Sequence, residues 1–151
     1  LNQMLIATKG SKIDISSEKK TEELAKKINS KIKAGDILFL HGEIGVGKTT
    51  FVKYLINDLQ LKLNEKLTEV TSPTFNIMNE YKVRDLTIKH YDLYRLKSAK
   101  ELENLNLFEE NNNSILLIEW PNIIKEKPNS IIELSFEYEN DYQNRFIKVL
   151  N

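Results

Sequence analysis

The segment Gly42-Glu43-Ile44-Gly45-Val46-Gly47-Lys48-Thr49 sets glycines, a lysine and a hydroxyl at the spacing G-x-x-x-x-G-K-[ST]. Each fixed position has a chemical reason. Glycines let the backbone curl so that successive N–H groups point at one anion. A helix starting where the segment ends adds the positive end of its dipole. Lys48 at this spacing reaches the β- and γ-phosphates of a nucleotide, and the Thr49 hydroxyl ligates Mg²⁺. The chemistry implied is the cradling of nucleotide phosphates together with a divalent cation.

Such chemistry also calls for an acidic group at the end of a buried strand, where it holds Mg²⁺, usually through water. Ile115-Leu116-Leu117-Ile118-Glu119 has that form, with Glu119 as the candidate; the alternative is a strand-end carboxylate facing solvent. Asp92, in His90-Tyr91-Asp92-Leu93-Tyr94-Arg95, is the second acidic candidate. It would orient or deprotonate an attacking water, hold the cation from the outer shell, or simply cap the strand. His90 reads as a packed or hydrogen-bonded residue rather than a catalyst, and Tyr91 and Tyr94 as core or interface. Trp120, the only tryptophan, follows Glu119 directly, at the strand end where ligands of such sheets collect. A core role is the alternative. Thr74, after Ser72-Pro73, supplies either a hydroxyl that senses the γ-phosphate, as switch loops do, or a turn threonine.

The elements that must carry these residues are legible in outline. Ile13 to Ile15 reads as a short strand. Ser16 or Ser17 caps a helix running to about Ala34, with Leu24, Ile28 and Ile32 on one stripe. Ile37 to Leu40 is a continuous apolar run, the mark of a strand buried on both faces. Thr49 to Leu59 reads as a helix with Val52, Leu55, Ile56 and Leu59 at helical spacing. The confirming context of the phosphate loop, a strand before and a helix after, is therefore present. Val70 to Tyr81 is expected to be extended. Arg84-Asp85 turns into a strand from Leu86 to His90. Ser98-Ala99-Lys100-Glu101 is a capping box for a helix through about Leu105. Ile115 to Ile118 is a second buried strand, and Pro121 and Pro128 bracket a short turn or helix. Ile131 to Tyr138 and Phe146 to Leu150 form an antiparallel hairpin through Asn140-Asp141. All five glycines lie in the first 47 residues, so later turns must use other residues; Asn111 to Asn113 and Asn129 are the candidates for left-handed positions. The expected fold is an α/β single domain over residues 1–151, P-loop NTPase-like, with a mixed sheet flanked by helices and a C-terminal antiparallel hairpin.

Composition excludes several classes. The chain has 151 residues, enough for one domain and one proper core. It has no cysteine, which removes disulfides and sulfur-based zinc sites, and two histidines, too few for a histidine-rich metal site. No apolar run approaches the roughly 20 residues of a membrane span, and no signal-peptide pattern is visible. These features favour the cytoplasm. With 22 basic against 22 acidic residues, the chain lacks the basic surplus that autonomous nucleic-acid binders use, so no DNA partner and no strong direct RNA binding is expected. The absence of any glycine after Gly47 excludes the Asp-x-x-Gly of Ras-like GTPases and the signature loop of transporter-type ATPases. Arg84, Arg95 and Arg145 are the only arginines, too few for the phosphate clamps of a small-molecule kinase. Few candidates for an arginine finger also imply slow hydrolysis by the isolated protein.

Four blocks together resemble the TsaE (YjeE) family: Gly42 through Phe51, Thr71-Ser72-Pro73-Thr74-Phe75, His90-Tyr91-Asp92-Leu93-Tyr94-Arg95-Leu96, and Leu117-Ile118-Glu119-Trp120-Pro121. The resemblance spans about Ser17 to Leu150. The phosphate loop is common to many families; the other three blocks in this order are far more specific. Membership implies ATP as the nucleotide, cradled by Gly42, Gly45, Val46, Gly47, Lys48, Thr49 and Thr50. It implies Mg²⁺ held through Thr49 and Glu119, and importance of Asp92 and Trp120 for activity. Glu18 and Arg145 align with family positions near the nucleotide. The family is a bacterial ATPase of tRNA threonylcarbamoyladenosine biosynthesis. It acts with two partner proteins, TsaD and TsaB, which transfer the threonylcarbamoyl group to the adenosine next to the anticodon. The ATPase resets that complex between turnovers, and tRNA is met only through it. Glu43 stands where the family often has Asp, and Tyr91 where Phe is frequent; neither disturbs the chemistry. A second reading from the residues is a nucleotide-dependent binding module, in which ATP orders the Thr74 and Asp92 regions for a partner and hydrolysis is incidental.

Overall fold

Two short apolar strands, five residues in one case and six in the other, organise the molecule. They are β2 (Ile37–His41) and β5 (Ser114–Glu119). Both are apolar on both faces because both faces are covered. Along β2, Leu38 and Leu40 join one buried cluster while Ile37 and Phe39 join another. Along β5, Ile115 and Leu117 join the first cluster, Leu116 and Ile118 the second. The two-residue period of the strand thus divides one sheet between two cores.

The structure, a computed structural model, describes residues 9–73, 76–109 and 111–151. Its sheet has seven strands in the order β1-β7-β6-β2-β5-β4-β3. The remaining strands are β1 (Lys12–Asp14), β3 (Met78–Val83), β4 (Leu86–Asp92), β6 (Ile132–Glu139) and β7 (Asn144–Val149). The central run β6-β2-β5-β4 is parallel, and the edge pairs β3–β4, β6–β7 and β1–β7 are antiparallel. This is the expected mixed sheet, and β6–β7 is the expected C-terminal hairpin. Helices α1 (Glu18–Asn29) and α2 (Lys48–Lys62) pack together with the first core, through Leu24, Ala25 and Ile28 against Val52, Leu55 and Ile56. Helix α3 (Ala99–Asn104) and a 3₁₀ turn at Pro121–Ile123 lie with the second core. None of the helices among the described residues is long and apolar enough to cross a membrane.

Several boundaries differ from the sequence expectation. Helix α1 stops at Asn29 instead of Ala34, because the N–H groups of Lys31 and Ile32 both bond to the Ile28 carbonyl and tighten the last turn. Ile32 still packs against the core, so the apolar stripe outlasts the helix. Helix α2 is longer than expected and runs to Lys62. The expected extended segment from Val70 becomes a strand only at Met78, where pairing with Tyr91 begins. Among the described residues, left-handed asparagines are Asn64, Asn106 and Asn140, not Asn111 to Asn113 or Asn129. The Ser98 cap matches expectation, its hydroxyl accepting from the Glu101 N–H at 3.2 Å.

Candidate functional site

The loop between β2 and α2 is shaped by what it must avoid. Gly42 has φ +142°, and a Cβ there would stand 2.7 Å from the Phe136 carbonyl oxygen of β6. Gly47 opens α2 at φ 115° and offers no side-chain cap. The other two α-helices are capped by Ser17 and Ser98 and carry Glu18 and Glu101 in their first turns; α2 has no acidic residue in its first turn. An uncapped N-terminus of a 15-residue helix, wrapped by a glycine loop, leaves N–H donors and a positive dipole end directed at one point. Those donors fit a phosphate.

The candidate groups meet there because the parallel strands end together. Asp92 is the register partner of Glu119 across β4–β5, and Leu40 is its partner across β2–β5. A cavity of about 280 Å³ opens above these strand ends, at the carboxyl edge of the parallel sheet. Its wall includes Gly45, Gly47, Lys48, Thr49 and Thr50 from the loop, and Asp92, Glu119, Trp120 and Arg145 from elsewhere. Ile44 and Ser72 also line it, and the sequence reading did not single them out as site residues. Gly42 and Val46 do not line the cavity. Val46 is fully buried beneath the loop and its N–H bonds to the Glu43 carbonyl at 3.3 Å. Glu18 stands outside the wall, accepting from the Tyr54 hydroxyl at 3.0 Å. Thr74 lies outside the described residues.

Lys48 is only 4% exposed. Its ammonium donates to the Gly42 carbonyl, lies 4.1 Å from the centre of the Trp120 ring, and is 4.0 Å from Oε1 of Glu119. Burial pulls its pKa down, opposed by the charges of Glu119 and Asp92. Burial pushes the Asp92 carboxyl up; the Tyr94 N–H, donating to its Oδ1 at 3.0 Å, opposes this, and neighbouring Glu119 adds to it. Trp120 holds a left-handed backbone, φ 55° and ψ 54°, which is uncommon for a bulky residue and a mark of functional sites. Its ring packs on Tyr94 at 4.8 Å between centroids. Arg145 is tied by its backbone to Ile15 and Ser16, and its Nη1 would stand 3.3 Å from a Cβ on Gly47.

The donor set also fits a hard divalent cation arriving with a nucleotide. The Thr49 hydroxyl lies 3.5 Å from Oε2 of Glu119, so two ligand-type oxygens face one space. Among the described residues, no group of three or more His, Asp or Glu side chains could hold a metal alone. Mg²⁺ accepts such a sparse set, since it keeps waters and takes phosphate oxygens. His90 is packed and hydrogen-bonded, as expected from the sequence: it is fully buried and its Nε2 lies 2.5 Å from Oε2 of Glu119. The available signal was its spacing, two residues before Asp92 and so on the same strand face.

A family model described as threonylcarbamoyl adenosine biosynthesis protein TsaE matches residues 15–147. Relatives named tRNA threonylcarbamoyladenosine biosynthesis protein TsaE include one from Rickettsia conorii, 42% identical over 111 residues, covering 74% of this chain and 61% of that protein. Another, from Rickettsia bellii, is 38% identical over 128 residues, covering 84% of this chain and 86% of its own. The matches span 61% and 63% of the lengths of the Rickettsia conorii and Rickettsia felis relatives. The crystal structure of YdiB from Bacillus subtilis superimposes with a TM-score of 0.68 at 28% identity, covering 95% of this chain and 86% of that one. With 133 residues, 15–147, inside the family model, the chain belongs to the TsaE family.

Proposed function

We propose that this chain binds ATP with Mg²⁺ at the phosphate loop, hydrolyses it slowly alone, and couples hydrolysis to tRNA threonylcarbamoyladenosine modification. The observation that carries the reading is the convergence of Lys48, Thr49, Asp92 and Glu119 on one cavity at the uncapped start of α2. Lys48 leaves the Gly42 carbonyl to engage the β- and γ-phosphates. The loop N–H groups from Gly45 to Thr50 hold the remaining phosphate oxygens. Thr49 and Glu119 would hold Mg²⁺, which would supply positive charge to offset that of the phosphates. Asp92, with its carboxyl pushed up by burial, is suited to take a proton from the attacking water or to orient it. Trp120 covers the Lys48 ammonium and keeps water from it. Arg145 and Glu18 lie on the side of α1 and β7 and are assigned to the nucleotide beyond that cluster, and Thr74 to the γ-phosphate.

Arg145 is the only guanidinium lining the cavity among the described residues, which supports slow hydrolysis in isolation. The partner assigned is a TsaD–TsaB complex, reset between turnovers and carrying most of the tRNA contact; the balance of 22 basic and 22 acidic residues fits that division. Its place is the cytoplasm. A second reading, the nucleotide-dependent binding module, is favoured by one feature. Ile44 and Tyr94 are 70% and 57% exposed beside Asp92, where apolar side chains suit a docking partner. An Asp92→Ala protein separates the two readings. If it binds ATP as wild type does and no longer supports tRNA modification, the ATPase reading stands; full support of modification would leave the module.

A further inference from the structure

Behind the cavity wall, His90 is completely buried. Its Nε2 is 2.5 Å from Oε2 of Glu119. A carboxylate oxygen accepts, so the Nε2–H donates. Nδ1, on the other side of the ring, is buried with no hydrogen-bond partner among the described residues. That is a poor arrangement for a residue that only fills space. An unpaired buried polar atom is unfavourable, whereas an apolar side chain of similar shape would pack there without one. What an apolar side chain cannot do is hold Oε2 of Glu119.

Glu119 needs holding. It is 3% exposed, with its Oε1 4.0 Å from the Lys48 ammonium and its Oε2 3.5 Å from the Thr49 hydroxyl. Released from His90, the carboxylate would be free to turn toward Lys48 and close that ion pair. The oxygen beside Thr49 would then be lost to the cation. We propose that His90 is a positioning residue, whose hydrogen bond keeps the Glu119 carboxylate beside Thr49 in the orientation that Mg²⁺ brought in by a nucleotide requires. This rests on the Mg²⁺–nucleotide reading given above.

The test is ADP affinity measured by calorimetry, with excess Mg²⁺ and with chelator, for wild type and His90→Leu. Losing an outer-shell partner typically lowers metal affinity roughly 10- to 100-fold. The Mg²⁺ concentration needed for tight ADP binding is expected to rise by about that factor in His90→Leu. Metal-free ADP affinity is expected to stay as in wild type. His90→Gln, whose amide reaches to about the position of Nε2, restores most of the response; His90→Asn, which is shorter, does not. In a Glu119→Gln background, His90→Leu adds nothing further. Equal Mg²⁺ dependence in wild type and His90→Leu overturns the inference alone. A wild type whose ADP affinity ignores Mg²⁺ overturns the metal reading and this inference with it. Should His90→Leu fail to fold, the Gln and Asn variants decide, and equal responses from both overturn the positioning role.

Discussion

Asp92 ends β4 half-buried, and burial pushes its carboxyl above its ordinary value of 3.8. The fold therefore disfavours the ionised form, and at neutral pH this subtracts from stability. As pH falls through the raised value, the native state takes up the proton before the unfolded chain does, and the penalty shrinks. Below 3.8 both states carry the proton and the penalty is gone. Asp92→Asn keeps an oxygen for the Tyr94 N–H. It is expected to be more stable than wild type at pH 7, with the difference vanishing at acidic pH, as read by urea denaturation across pH. Gly42 makes a second residue-scale case. Its hypothetical Cβ meets a backbone oxygen, which cannot swing aside as a side chain would. Gly42→Ala is expected to lose about 1–3 kcal/mol in denaturation, the usual range for overpacking. Nucleotide affinity should fall with it, since the loop itself must move. Trp120 shows where residue types alone fall short: its left-handed backbone and its ring over Lys48 depend on the turn into the 3₁₀ segment, which spacing does not reveal.

Helices α1 and α2 are joined by apolar packing and by one buried polar device. Asn29 donates to the Leu55 carbonyl and to Oδ2 of Asp58, both at 2.9 Å. Asn29 and Asp58 are each 8% exposed, so the loss of Asn29 removes a buried donor and leaves Oδ2 of Asp58 with the Lys62 ammonium at 3.2 Å. Asn29→Ala is expected to lose about 1–3 kcal/mol, measured as a shift in denaturation midpoint. Affinity for ADP should stay near that of wild type, because Asn29 ends α1 far along α2 from Lys48. At this scale the sequence was most informative where burial was complete. The runs at 37–40 and 115–118 are apolar at every position because two cores need both faces, and both became central strands. It was least informative where backbone hydrogen bonding, not side-chain pattern, sets the end of an element. Ile32 belongs to the apolar stripe of α1 and packs with it, yet the helix has already closed on the Ile28 carbonyl. The left-handed asparagines are likewise chosen by turn geometry, at Asn64, Asn106 and Asn140, so a run of three asparagines misled.

Across the whole molecule, the site is a product of topology. Residues near positions 48, 92, 119 and 145 come together because β2, β4 and β5 are parallel and end level, with Asp92 opposite Glu119 in register. The loop itself and its flanking strand and helix were legible as spacing. Register was not, so the placement of Asp92 opposite Glu119 was not legible. His90 reads from sequence as packed or hydrogen-bonded, but its partner was not legible, since that partner is 29 residues away on the neighbouring strand. Arg145 arrives from β7, two strands from β2 and held by Ile15 and Ser16, and brings the only guanidinium of the wall among the described residues. A cavity so poor in arginine is expected to hydrolyse ATP slowly until a partner completes or rearranges it. The most direct measurement is ATP hydrolysis by the purified protein, alone and with a TsaD–TsaB complex, for wild type and Lys48→Ala. A slow rate that rises with the complex and disappears in Lys48→Ala is expected. A rate that ignores both the complex and the loss of Lys48 would contradict it.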